Sequence, residues 1–155
     1  MAHLNLDSII ALLDGVKTLS VCSEQVGAVL INPLTGEYVT GYNHNGIHRL
    51  CECEDDQGET LPTVIHAEVD AFNQAKKLFS REEISRMYLF TCRRACVKCA
   101  KEIELNNLRG VFYALEQPEM EHIDLLRSKG ITVLDYTKDR SKVEEILQAD
   151  TYVLH

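Results

Sequence analysis

The chain has 155 residues, 45% of them hydrophobic and 26% charged, with a formal net charge of −8. That is the length and balance of one globular domain able to bury its own core, not of a disordered or fibrous chain. The acidity disfavours binding to nucleic-acid phosphates, no apolar run reaches the ~18 residues of a membrane span, and no basic leader opens the chain, so a single cytoplasmic domain over 1–155 is expected.

Leu4 to Thr18 repeats apolar residues at helical spacing (Ile9, Leu12, Leu13, Val16), with Asp7-Ser8 as cap candidates. Val26 to Ile31 is a continuous β-rich run, and Asn32-Pro33-Leu34-Thr35-Gly36 supplies a turn before Glu37 to Tyr42, which predicts a hairpin. From His44 to Thr63 the chain turns polar, with Gly and two Cys, and is expected to form a long surface loop. His66 to Phe79 places Phe72, Ala75 and Phe79 on one helical face, Met87 to Cys92 reads as a strand, and Cys96 to Asn107 as a helix. Gly110 to Leu115 is a further strand, followed by a helix from Pro118 to Lys129 that Gly130 stops. Ile131 to Leu134 and Ser141 to Ala149 close the order as a strand and a helix. The alternation of the later half implies parallel strands joined by helical crossovers, hence a mixed sheet covered by helices, an α/β fold.

Six cysteines (Cys22, Cys51, Cys53, Cys92, Cys96, Cys99) are many for this length. In a chain without a secretory leader, metal ligation is a better reading of them than a disulfide framework. Two segments concentrate the chemistry, Ile65-His66-Ala67-Glu68 and Cys96-Val97-Lys98-Cys99, and each opens a predicted helix. Unpaired N–H groups and the helix dipole there favour thiolate over thiol. One imidazole and two thiolates make three ligands for zinc and leave the fourth tetrahedral position open for water, as a catalytic site requires. Glu68, two residues from His66, is close to such a metal without being needed as a ligand, and its carboxylate can carry protons between water and a leaving amine. Taken alone, His-Ala-Glu is an ordinary polar first turn, and Cys-x-x-Cys is more often a structural zinc knuckle or a redox pair. Their conjunction in this order is what points to catalysis.

His-x-Glu followed by Cys-x-x-Cys resembles the signature of zinc nucleobase deaminases. The likeness is wider than the ligands: Val26-Gly27-Ala28-Val29, Gly41-Tyr42-Asn43, His66-Ala67-Glu68-Val69-Asp70-Ala71, Cys96-Val97-Lys98-Cys99-Ala100-Lys101 and Leu125 to Ile131 resemble deoxycytidylate deaminases in order and rough spacing. The resemblance implies a three-layer α/β/α cytidine-deaminase-like fold around a five-stranded mixed sheet. It also implies zinc on His66, Cys96 and Cys99, Glu68 as proton shuttle, Asn43 and Ala67 in contact with substrate, and a homo-oligomer. Hydrolysis of dCMP to dUMP and ammonia is the activity expected first. Deamination of RNA or of a free base such as guanine is the rival within enzymes, and an inactive zinc-stabilised interaction module the rival outside them.

The chain departs from the family pattern at Ala95, where Pro usually precedes the first Cys, at Asp70, where Asn is usual, and at Arg93 and Arg94, where residues are usually small or apolar. Arg93 and Arg94, beside a ligand position, are candidates for a substrate phosphate or plain surface charge, as is Lys77. Some phage-type relatives carry a second, structural zinc in the regions of Cys22, Cys51 and Cys53. These three are either such a site, with His44 and His48 close in sequence, or free thiols.

Overall fold

β1 (Gly27–Ile31) is buried at every position, the mark of a strand covered on both faces. It pairs antiparallel with β2 (Tyr38–Tyr42), from Gly27 opposite Tyr42 to Ile31 opposite Tyr38. The turn between them closes through the Asn32 side chain, which accepts from Leu34 N at 2.9 Å, and through Gly36 at φ 78°, a left-handed conformation that favours glycine. On its other edge β1 pairs antiparallel with β5 (Tyr88–Thr91). β5 lies parallel to β6 (Gly110–Tyr113), and β6 parallel to β7 (Thr132–Asp135), giving a five-stranded mixed sheet in the order β2-β1-β5-β6-β7. The computed structural model describes the backbone of residues 5–92, 97–114 and 120–152, and side chains within that range except at 97–100, 120–122 and 150–152.

The side chains of β1 alternate between two cores, as the pleat dictates. Val29 and Ile31 join Phe90 and Phe112 beneath α1 (Leu6–Lys17) and α6 (Arg140–Tyr152), which contribute Leu6, Ile9, Leu13, Val143 and Leu147. Ala28 and Leu30 face the opposite layer, where α2 (Ala67–Leu78), α4 (Val97–Leu105) and α5 (Met120–Ser128) supply Ala71, Phe72, Ala75, Ile103, Ile123 and Leu126. The expected three layers and parallel half-sheet are present. Among the described residues no helix is long and apolar enough to cross a membrane.

Local details differ from the sequence reading. The cap of α1 is Asn5, whose Oδ1 accepts from Ser8 N at 2.8 Å, so Asp7 and Ser8 lie inside the first turn. A short helix, α3 (Arg81–Ile84), opens on a capping box between Ser80 and Glu83. Gly130 adopts φ 81° after α5, as expected of a helix stop, while Pro118 lies outside the described residues. Cys92 follows β5 rather than ending it, as a half-buried thiol whose Sγ accepts from Gly27 N at 3.2 Å.

The 44–63 segment is more ordered than a plain loop. Its ends are zipped by β3 (His44–Asn45) and β4 (Val64–Ile65), an antiparallel pair extended by Gly46 N to Thr63 O at 2.7 Å. Inside it, Asn45 Nδ2 donates to Glu52 O at 2.8 Å, and Glu54 bridges to Thr60. These pairings satisfy backbone and amide groups that a buried connection would otherwise leave orphaned.

Candidate active site

β4 delivers the chain directly into α2. His66 is the N-cap of that helix with φ −71° and ψ 154°, and its imidazole makes no capping bond to the first-turn amides. Glu68 follows in the first turn, where the helix dipole favours a carboxylate. It is only 3% exposed, and its Oε1 accepts from the hydroxyl of the fully buried Thr91 at 3.0 Å. Thr91 ends β5, so the carboxylate sits at the carboxyl end of a parallel strand, where open α/β sheets form their ligand crevices.

The same contact ties the start of α2 to the end of β5. α4 begins at Val97 and carries Cys99 in its first turn, on the same face of the sheet as α2, with Lys76 Nζ 3.6 Å from Glu102 Oε2 between the two helices. Cys96, Arg93 and Arg94 lie outside the described residues, and Cys99 is placed by its backbone alone. His66 and Glu68 thus open a helix bonded to the end of β5, and the helix bearing Cys99 lies on the same face of the sheet.

Packing of α2 on the sheet is backbone against backbone. A Cβ at Gly41 of β2 would lie 2.4 Å from both Ala67 O and Ala71 N, so only glycine admits the helix at this height. Ala67 is 1% exposed and belongs to the core beneath β2.

Asn43, between β2 and β3, is half-buried and already bonded. Its Oδ1 accepts from Val26 N at 2.9 Å, its Nδ2 donates to Glu24 O at 2.7 Å, and its carbonyl accepts from the Ser20 hydroxyl at 2.7 Å. The side chain thus braces the α1–β1 connection. An amide has a further donor and further lone pairs beyond these two bonds, so bracing does not exhaust it.

Beside this residue stands a cluster that sequence reasoning did not assemble. Asp70, 3% exposed, accepts from Tyr42 N at 3.1 Å and from both terminal nitrogens of Arg49 at 3.3 and 3.1 Å. Gln74 Nε2 donates to it at 3.3 Å and His44 Nε2 stands 3.3 Å away. Burial pushes the Asp70 carboxyl up, but the bonds from Arg49 and Tyr42 N–H, with the His44 ring beside them, outweigh that and hold it below its usual range. Arg49 also lies over the Tyr42 ring, 5.0 Å from its centroid. The signal available in the sequence was an acid at position 70 with an unplaced arginine in the polar segment.

Cys22 and Cys53 are brought together and joined as a disulfide that ties the α1–β1 connection to the 44–63 segment. Cys51 stands apart as an exposed thiol, and the third donor beside the pair is Glu54, a carboxylate oxygen of which lies within 4.8 Å of both sulfurs. Glu54 also accepts from Ser23 N at 3.1 Å. The grouping is therefore Cys22, Cys53 and Glu54 rather than three cysteines, and the sulfurs can serve a metal only when the disulfide is reduced.

A five-stranded mixed sheet flanked by helices, in the order found here, is the cytidine deaminase fold. The chain belongs to the MafB19-like deaminase family, whose profile matches residues 13–151. Among solved structures it is similar to the dCMP deaminase of the cyanophage S-TIM5 in complex with dCMP and dUMP, at 26% identity and a TM-score of 0.70, over 84% of this chain and 98% of that one. A guanine deaminase from Nitrosomonas europaea shares the fold at 16% identity and a TM-score of 0.57, over 97% of this chain and 87% of that one. So does a diaminohydroxyphosphoribosylaminopyrimidine deaminase/reductase from Thermotoga maritima, at 15% identity and a TM-score of 0.58, over 96% of this chain and 39% of that one. A search of curated proteins found no match.

Proposed function

We propose that this deaminase is a zinc hydrolase acting on a cytosine nucleotide, converting dCMP and water to dUMP and ammonia. The observation that carries the reading is Glu68, buried and hydrogen-bonded to Thr91, two residues past the histidine at the start of α2. A carboxylate in a structural zinc knuckle has no reason to occupy that position, whereas a proton carrier must. The likeness to a dCMP deaminase solved with dCMP and dUMP favours the cytosine nucleotide among deaminase substrates.

The donor set fits zinc. An imidazole at the start of α2 and the two thiols of Cys96-Val97-Lys98-Cys99 are ligand types that zinc takes. His66, Cys96 and Cys99 would hold the ion and leave one coordination position open. Bound there, zinc supplies a Lewis acid that makes water a nucleophile near neutral pH. Glu68 takes the proton from the attacking water, gives it to the ring nitrogen beside the amino-bearing carbon, and later serves the departing amine, which leaves as ammonia. The Thr91 hydroxyl holds the carboxylate in place for both transfers. Asn43 contacts the nucleotide, and Arg93 and Arg94 meet its phosphate.

The test is ammonia release from dCMP by the zinc-loaded protein, with Glu68→Ala beside it and zinc content measured on both. We expect turnover by the native chain only, with about one ion per chain retained in each. Equal turnover by the variant overturns the role of Glu68. Turnover of guanine or of RNA in place of dCMP overturns the substrate.

A further inference from the structure

We infer that Asp70 is a positioning residue, locking Asn43 and the 44–63 segment onto the helix that carries Glu68, with Arg49 as its matched counter-charge. The inference rests on the proposed reading for the identity of the substrate contact, but not for the geometry.

Asp70 lies one turn after His66, its N–H donating to His66 O at 2.9 Å, and two residues after Glu68. Its carboxylate meets the chain on either side of Asn43: it accepts from the N–H of Tyr42 before it, and it stands 3.3 Å from the His44 Nε2 after it. A single side chain thus sets the distance between the segment that meets substrate and the helix turn that moves protons. Arg49 brings the polar segment to the same carboxylate by a two-pronged contact and stacks on Tyr42, the residue whose amide Asp70 already holds.

The pairing also accounts for an acid at this position. A buried carboxylate is costly unless countered, and Arg49 is the cation that meets it. An amide at 70 would keep the acceptor for Tyr42 N–H but would leave Arg49 without its partner. Asp70 and Arg49 are therefore expected to depend on each other, so that changing the second after the first costs little.

The experiment compares Asp70→Asn, Arg49→Gln and the double variant with the native chain. Steady-state kinetics on dCMP are read beside hydrogen exchange of the 44–63 amides. Misplacing a group that binds ground state and transition state alike raises KM and spares kcat. Each single variant should raise KM about tenfold, the scale of one charge-assisted hydrogen bond, with kcat within about twofold. The double variant should be no worse than the poorer single one, and exchange should quicken in 44–63 while the α2 amides stay protected. Because Arg49 is partly exposed, Arg49→Gln reports even if a change at the buried Asp70 disturbs folding. A lowered melting temperature with KM unchanged, or strictly additive losses, overturns the inference. If the native chain does not act on dCMP, the functional reading fails by itself. Exchange then decides the clamp: faster exchange confined to 44–63 supports it, and unchanged exchange overturns it.

Discussion

Glu68 and Thr91 show how one hydrogen bond can link two distant parts of the chain, since 23 residues separate them. The hydroxyl at the end of β5 is fully buried, so it is fixed before any substrate arrives, and the carboxylate it holds needs no reorganisation to accept a proton. Thr91→Val keeps the shape and removes that donor. Hydrogen bonds to charged groups are worth roughly 1.5–3 kcal/mol, so kcat should fall about tenfold or more while the chain still folds and binds zinc. Rate measurement beside metal analysis checks this; an unchanged rate would mean that the carboxylate is oriented by something else. At this scale the sequence was informative where chemistry is short-range. His66 and Glu68 are two residues apart and Cys96 and Cys99 three, so two short motifs in order single them out as candidates. Thr91 carried no such signal, because a threonine in a strand is ordinary and its partner is remote.

At the scale of elements, the seating of α2 on β2 decides where the site falls. Gly41 allows the helix backbone to rest on the strand, and a methyl there must push Ala67 and Ala71 outward because its neighbours are backbone atoms that cannot rotate away. Gly41→Ala should therefore destabilise by roughly 2–3 kcal/mol and impair turnover together, since the displaced turn carries Glu68. Urea unfolding beside the activity assay separates this from a simple strand propensity effect, which would lower stability and leave the rate alone. Hydrophobic periodicity made the strands and long helices legible to within a few residues, because burial imposes those periods directly. Asn5 as the cap of α1, the one-turn α3, and the β3–β4 zipper were not legible. Each depends on hydrogen bonds with no apolar pattern behind them, and the zipper joins residues some twenty positions apart. The Arg49–Asp70 and Cys22–Cys53 pairs were hidden for the same reason, with sequence separations of 21 and 31.

For the molecule as a whole, the sheet divides labour between its faces. α2, which carries Glu68, packs with α4 and α5 on one side, while α1 and α6 close the other with an apolar layer and an ion pair from Arg140 to Asp7. Both layers hold a buried tyrosine. Burial is the largest cause that raises the phenol of Tyr113 in one core and, further, that of Tyr136 in the other; the charge of Arg127 opposes it at Tyr113. A phenol raised in the folded state favours folding fully below its ordinary value of 10.0, and that contribution is lost as pH climbs from there toward the folded value. Stability measured by denaturant should therefore decline above about pH 10, with the part of the tyrosinate absorbance that Tyr113→Phe and Tyr136→Phe remove arriving together with unfolding rather than before it. A tyrosinate signal in the intact fold that Tyr113→Phe or Tyr136→Phe abolishes would contradict the burial of these rings. The three-layer plan was readable from the alternation of strands and helices; which tyrosines it would seal was not, since that depends on the register of parallel strands.

The zipper that closes the polar segment also governs how the protein ages. Asn45-Gly46 is the kind of dipeptide that isomerises spontaneously, when the glycine nitrogen attacks the asparagine side chain and expels its amide as ammonia. Here that nitrogen is engaged with Thr63 O at 2.7 Å and the amide it would attack is tethered to Glu52 O at 2.8 Å. In the folded chain both partners of the ring closure are occupied, so this clock runs only when the segment opens. Isoaspartate accumulating at position 45 in stored protein would then be a record of how often the 44–63 segment has come undone.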